Sequence, residues 1–309
     1  MTDQIDSDRI SSDRMESDRI DAAMALGGEG AGAALGSAIR RRQFVRTQSV
    51  AAAVLPPLVM GLLIVGFWYF ISYQLLDQAP RKNGFLLRPP HKVLEVGFLD
   101  WANFSEILDA LWATTKVATI GLGISIALGM ALAVVMSQSK LFERALYPYM
   151  VTLQAIPILA IAPLIGFWFG TATTGRLIVC VIISLFPIIV NTLFGLQSAE
   201  RGMHDLFTLH RSGRLTRLVK LQFPAASPAI FAGLRIAAGL SVIGAIVGDF
   251  IFGRGEAGIG QALKKYANNL DGEQLLAAVI MSSVLGVSVF LFFGWIQNVA
   301  IGKWHGDST

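Results

Sequence analysis

"RSGRLTRLVKLQFPAASPAIFAGLRIAAGLSVIGAIVGDF", Arg211 to Phe250, changes character halfway along. Its first ten residues carry a base at every third position, Arg211, Arg214, Arg217 and Lys220, with Leu215, Leu218 and Val219 between them. Beyond Pro224 and Pro228 the stretch turns apolar, and over 230–252 only Arg235 and Asp249 are charged. An apolar run of about 20 residues has the length of a helix crossing a bilayer. Gly239, Gly244 and Gly248 put small residues on one strip of that helix, which lets a neighbouring backbone come close. The second half is therefore a membrane span, and the first half is a basic segment at its threshold.

Composition extends that reading to the whole chain. Of 309 residues only 15% are charged, where soluble domains carry about 25%. Mean hydropathy is +0.59. The net charge of +4 is uneven: 1–30 is acidic, and "RRRQFVR" ahead of the first apolar run is basic. That is the pattern of a membrane flank, and no basic face interleaved with aromatics points to nucleic acid. Cys180 is the single cysteine and lies in an apolar run. It excludes a disulfide framework or CxxC metal site, and reads as a small core hydrophobe.

Six spans are expected, over about 51–72, 111–136, 149–169, 177–196, 230–252 and 275–300, so the fold class is an all-α polytopic membrane protein. The first run starts too far from the terminus and is too long for a signal peptide, and reads as a retained span. Ahead of it, 1–46 reads as a disordered cytoplasmic tail, with "SDRI", "SDRM" and "SDRI" repeating at Ser7, Ser12 and Ser17 and a Gly/Ala-rich stretch after them. The rest, 47–309, is one transmembrane domain. Arg40, Arg41, Arg42 and Arg46, then Lys140, Arg144, Arg201, the basic segment and Lys303, fall on one side. By the positive-inside bias that side is cytoplasmic, and both termini lie there. On the other side, "LLRPPHKVLE" predicts an extended approach and then a short interfacial helix.

As a helix, the basic segment spreads its charges over about half its circumference and shows leucine and valine on the remainder. Such a helix suits an anionic lipid surface and equally an apolar groove on a protein.

The loop also resembles the "EAA" loop of permease subunits of ATP-binding-cassette importers. That family pattern runs Glu-Ala-Ala, a glycine, then Leu-Pro. Aligned on Pro224, Asp205-Leu206-Phe207 take the first place, Arg211 the glycine place with Gly213 two residues on, and Phe223-Pro224 the last. "LQAIPILAIAPLIGFWFG" (153–170), "LFPIIVNTLFGL" (185–196), the 223–250 run and the closing "KWH" are similar to the nitrate/sulfonate/taurine branch, which includes pyrimidine-precursor and riboflavin relatives.

The resemblance implies a type I permease bundle working as a homodimer or close heterodimer over two ATPase subunits, with an extracytoplasmic binding protein delivering a small solute. The cargo it implies is a sulfonate, taurine, nitrate or a pyrimidine-type vitamin precursor. Loop 198–227 then docks the motor, through Asp205, Arg211, Gly213, Arg214, Leu215, Arg217, Leu218 and Pro224. ATP and magnesium belong to the partner, because this chain has no GxxxxGK[ST] phosphate loop. It is a transport subunit in the inner membrane, not an enzyme, with no cofactor or metal of its own.

Within the spans, Pro157, Pro163 and Pro187 leave backbone carbonyls unpaired, which calls for protein packing or a water-filled path around them. Asp249 at the outer end of span five is either an acid paired locally or a residue of the path, since a charge at that depth needs a partner or a cavity. Gln154, Asn191 and Lys116 are further path candidates. Arg235 reads as an arginine snorkelling to the headgroups. "GRGEAG", Gly253 to Gly258, matches GxGxxG but follows a span where a dinucleotide fold needs a strand. His91, His204, His210 and His305 fit no metal-ligand spacing. A secondary transporter or channel is the rival class, but inverted repeats and midplane ionisable clusters are not evident in the sequence. A membrane enzyme needs a polar catalytic constellation that the spans lack.

Overall fold

The computed structural model describes residues 55–76, 87–170, 173–253 and 255–301. The tail at 1–46, and Arg81, Lys82, Arg254, Lys303 and His305, lie outside the described residues. The chain divides into two units, 1–70 and 71–309. The first holds most of α1, Leu55–Gln74, which is long and apolar enough to cross a membrane. Every other element belongs to the second.

Among the described residues every regular element is helical. Pro89 stands in extended backbone just ahead of α2, Pro90–Leu94, with Pro90 in the first turn where its missing N–H costs nothing. A π-wound turn, Glu95–Leu99, leads to α3, Trp101–Gln138. Asp100 caps α3 by accepting from the Ala102 N–H at 3.0 Å. This cap starts the helix about ten residues before the expected span. Ser139 ends α3 in extended backbone, and its hydroxyl accepts from Leu141 N–H at 3.3 Å to open α4, Lys140–Ala155.

The third expected span is not one straight helix. α4 gives way to α5, Ile158–Phe169, at an angle of 100°. The cause is local: Pro157 has no N–H, and its ring drives Ile156 out of the helical region to φ −69°, ψ 125°. Among the described residues five helices are therefore long and apolar enough to cross a membrane, and the number reaches six only when the bent pair counts as one. Pro163 and Pro187 stay inside α5 and α6.

Next come α6, Thr173–Gln197, and the short α7, Arg201–Leu209. α8, Arg214–Arg217, passes through a π-wound turn, Leu218–Gln222, into α9, Phe223–Ile251. Arg214–Ile251 is one run of 38 residues. The basic segment is thus the first turns of span five rather than a separate helix. Pro224 does not break it, because the turn ahead of it is π-wound, with the Phe223 N–H donating to Leu218 O, so the ring follows a widened turn. α10, Ile259–Asn269, and α11, Gly272–Ile301, complete the fold.

α3, α6 and α9 make the core, with Leu122, Ile188, Ala237 and Ala238 in one buried cluster and Val117, Ala118, Val242 and Ala245 in another. Lipid tails are as apolar as leucine, so close van der Waals packing, rather than exclusion of water, holds such helices together. α6 and α9 achieve it through glycine. A Cβ on Gly244 would lie 2.8 Å from Cys180 Cα, and one on Gly248 would lie 3.0 Å from Arg176 Cα. Gly239 does not share this contact: a Cβ there meets nothing within 4 Å. Cys180 is fully buried, its Sγ 3.3 Å from the Ser241 carbonyl.

Candidate functional site

Three places in the second unit carry the polar chemistry. The first is the loop between α6 and α9. α7 has no buried residue, and it shows Met203, Leu206 and Leu209 at successive three-residue steps. Leu209 is 81% exposed and Leu215 72%. Asp205, Arg211, Gly213, Arg214 and Pro224 are exposed beside them. Leu218 differs from Leu215 and Val219: it is buried against Leu196, Ala226 and Ile230 and anchors the loop to the core. Arg217 also faces inward, its Nη2 donating to Thr208 Oγ1 at 2.9 Å.

The turn after α7 accounts for the residue that departs most from the family pattern. Arg211 has φ +50°. Its N–H donates to Thr208 O at 3.0 Å, and the Ser212 N–H donates to Phe207 O at 3.0 Å. Those are the paired bonds of a helix stop whose left-handed residue is ordinarily glycine. Arg211 keeps the glycine geometry at a conformational cost of about 1 kcal/mol. Gly213, at φ −63°, ψ 160°, needs no glycine.

The second place lies at the other end of the bundle. Asp249 is 2% exposed and sits 2.8 Å from Arg176 Nη1, itself almost fully buried. Asp249 Oδ2 accepts from the Gln261 N–H at 2.8 Å, and Oδ1 accepts from Gln261 Nε2 at 3.1 Å. Arg176 also donates to Phe252 O at 3.2 Å and to Glu256 O at 2.6 Å. Thr114 Oγ1 accepts from the Ile259 N–H at 2.9 Å. One buried ion pair thus ties α6, the end of α9, the 252–258 loop and the start of α10. Lys116 pairs with Glu256 on the surface of this knot, and its ammonium holds the Glu256 carboxyl below the usual carboxylate range. Arg176 is the residue that sequence reasoning missed. The signal was there: an acid buried at span depth requires a cation, and Arg176 is the base at the head of span four. The GxGxxG match is part of this knot; it follows helix α9 and has no dinucleotide geometry.

The third place is a groove of about 560 Å³ between α9 and α11, lined by Gly239, Ile243, Ser283, Gly286, Val287 and Phe290 among others. Arg235 lies at its loop end. Its guanidinium stacks at 3.9 Å over the Phe290 ring.

The path candidates are not gathered in one spot. Gln154 and Pro157 lie exposed at the α4–α5 bend. Asn191 donates to the Pro187 carbonyl at 2.8 Å, and both pack where α6 meets Gly233 of α9. Asp249 and Lys116 are in the knot.

Residues 123–299 match the family model of the binding-protein-dependent transport system inner membrane component. The chain is 32% identical to the formylaminopyrimidine transport permease protein ThiX of Halalkalibacterium halodurans, over 80% of this chain and 95% of that one. It is 28% identical to the bicarbonate transport system permease protein CmpB of Synechococcus elongatus, over 78% and 86%. It is likewise 28% identical to the riboflavin transport system permease protein RibX of Chloroflexus aurantiacus, over 53% and 60%. The protein belongs to the binding-protein-dependent inner-membrane permeases of ATP-binding-cassette importers. It is a multi-pass inner-membrane transport subunit, and ATP hydrolysis resides on a separate subunit.

Proposed function

We propose that this chain converts the ATPase cycle of a partner into the import of a small polar solute, and that the 198–227 loop is where the partner grips. The observation that carries the reading is the uncovered face of that loop: Leu206, Leu209, Leu215 and Val219 exposed together, flanked by Arg211, Arg214 and Lys220. Apolar side chains ringed by charge mark a protein interface. Leu218 and Arg217 link that face rigidly to span five, so force applied at α7 enters α9 directly. The loop is cytoplasmic in this reading, as are both termini, and the knotted end faces outward toward a binding protein. Two copies of the chain stand over two ATPase subunits.

The cargo class follows the named relatives, which transport formylaminopyrimidine, riboflavin and bicarbonate. It is a small solute carrying either an oxyanion or a pyrimidine-type ring. The bases at the family's docking position support a motor-coupled importer over a secondary transporter. Purification of the tagged chain from its native membrane tests the reading. An ATPase subunit should co-purify, and uptake in proteoliposomes should require ATP and the binding protein. Uptake by this chain alone without ATP would overturn it.

A further inference from the structure

Arg235 is a cation inside a membrane-spanning helix, twelve residues into α9. Its guanidinium contacts the Phe290 face, but its Nε is buried without a hydrogen-bond partner. Among the described residues no carboxylate pairs with it. The contrast with Arg176, which has Asp249 and two carbonyls, is sharp. An arginine at such depth costs roughly 2.5–3.5 kcal/mol on insertion scales unless it faces a partner or a cavity. Stacking on Phe290 offsets part of that cost, yet it leaves the N–H fork unused. The space for the stack is made by the backbone: a Cβ on Gly294 would lie 3.2 Å from both Cζ and Nε of Arg235. Phe290 is also a wall of the α9–α11 groove, whose other lining is apolar apart from serine. The serines spend their protons internally, since Ser283 Oγ donates to Val279 O at 2.9 Å. Arg235 does not line the groove itself; it is the charge that stands next to the groove, on Phe290 and beside the lining residue Ile236.

We propose that Arg235, held on Phe290 over Gly294, selects an oxyanion-bearing cargo by receiving its anionic group at the loop end of the α9–α11 groove. The proposal rests on the transport reading and narrows its two cargo classes to the anionic one. A planar guanidinium fits carboxylate, carbonate, nitrate, sulfonate or phosphate oxygens two at a time. A lipid phosphate offers the same chemistry, so the test separates the two sources.

The test needs no known cargo. In the full transporter with Cys180→Ser, Gly286→Cys places a thiol on the groove wall one turn from Phe290, where a Cβ meets nothing within 4 Å. Its reaction rates with an anionic and a cationic methanethiosulfonate, each divided by the rate with a free thiol, are compared in phospholipid-free detergent micelles and in phospholipid nanodiscs. The anionic reagent should be the favoured one, and Arg235→Gln should lower that preference about tenfold in both media, as expected for one fixed charge focused in a low-dielectric cleft. Arg235→Lys should keep most of it, and Gly294→Val should reduce it by displacing the stack. A preference unchanged by Arg235→Gln overturns the proposal. So does a preference present only in the phospholipid-free micelles, which assigns the guanidinium to lipid phosphate. Co-purification of the ATPase reads independently of either result, so loss of this proposal and loss of the transport reading are distinct outcomes.

Discussion

The two ends of the helical core solve opposite problems. At one end Arg176, Asp249, Gln261 and Thr114 consume one another's hydrogen bonds, and Lys116–Glu256, Lys265–Glu106 and Arg88–Glu273 add ion pairs around them. At the loop end no ion pair forms among the described residues, and leucines stand in the open. One end is satisfied within the chain. The other leaves its leucines for the partner proposed above to cover. The difference teaches which charges hold the fold and which wait for a partner, although both sets look alike as letters in the sequence.

The knotted end should be the more fragile to single changes. Asp249→Asn or Arg176→Leu leaves one buried charge unpaired, and should cost about 3–5 kcal/mol. The check is thermal unfolding of the detergent-solubilised transporter; the double replacement Arg176→Leu with Asp249→Leu should recover much of the loss. A single variant as stable as wild type would show the pair is not the tie we describe.

The loop end should behave in reverse. Leu209→Asp with Leu215→Asp should leave the unfolding midpoint of the isolated permease unchanged, because neither side chain is packed. It should weaken ATPase retention about tenfold or more, the loss of one or two interface anchors. Arg214→Glu with Arg217→Glu should uncouple hydrolysis from uptake with the spans still inserted, as read by substrate-stimulated ATPase in proteoliposomes.

A smaller effect distinguishes geometry from charge at the loop. Arg211→Gly should stabilise the permease by about 1 kcal/mol, because glycine meets the left-handed turn without strain. Arg211→Ala should not. If the two behave alike in thermal unfolding, the turn is not what the arginine pays for.

The smallest effect is a pH dependence at the knot's surface. Lys116 lowers the Glu256 carboxyl, so the native state binds its proton less readily than the unfolded chain. The stabilisation from this pair is present above the ordinary glutamate value of about 4.3 and is lost as pH falls through the lower native value. Glu256→Gln should remove that part of the acid decline in midpoint. Salt should shrink it too, since the pair is solvent-exposed.

Much of this molecule was legible in order of residues. Apolar runs of bilayer length mark the spans, because lipid forces backbone hydrogen bonds to close within a helix and forbids charge along it. The sequence also singled out Arg211 as a base standing where glycine is usual in the family pattern. It could not say that the Arg211 turn would keep the glycine conformation, since that depends on Phe207 and Thr208 carbonyls being presented by α7. Nor could periodicity separate Leu218 from Leu215 and Val219; only the position of Leu196 and Ile230 buries one and leaves the others bare. Pro157, Pro163 and Pro187 are the same residue in the same kind of run. One bends the chain by 100° and two do not. Hydropathy marks where the apolar segments lie, because it sums over a local window, but not that the third of the six is bent. Which charge is paired, which glycine is crowded and which arginine is left with a free fork were decided by contacts between residues far apart in the chain, such as Arg176 with Glu256, 80 residues away, and Lys265 with Glu106, 159 away, and those exist only once the helices have packed.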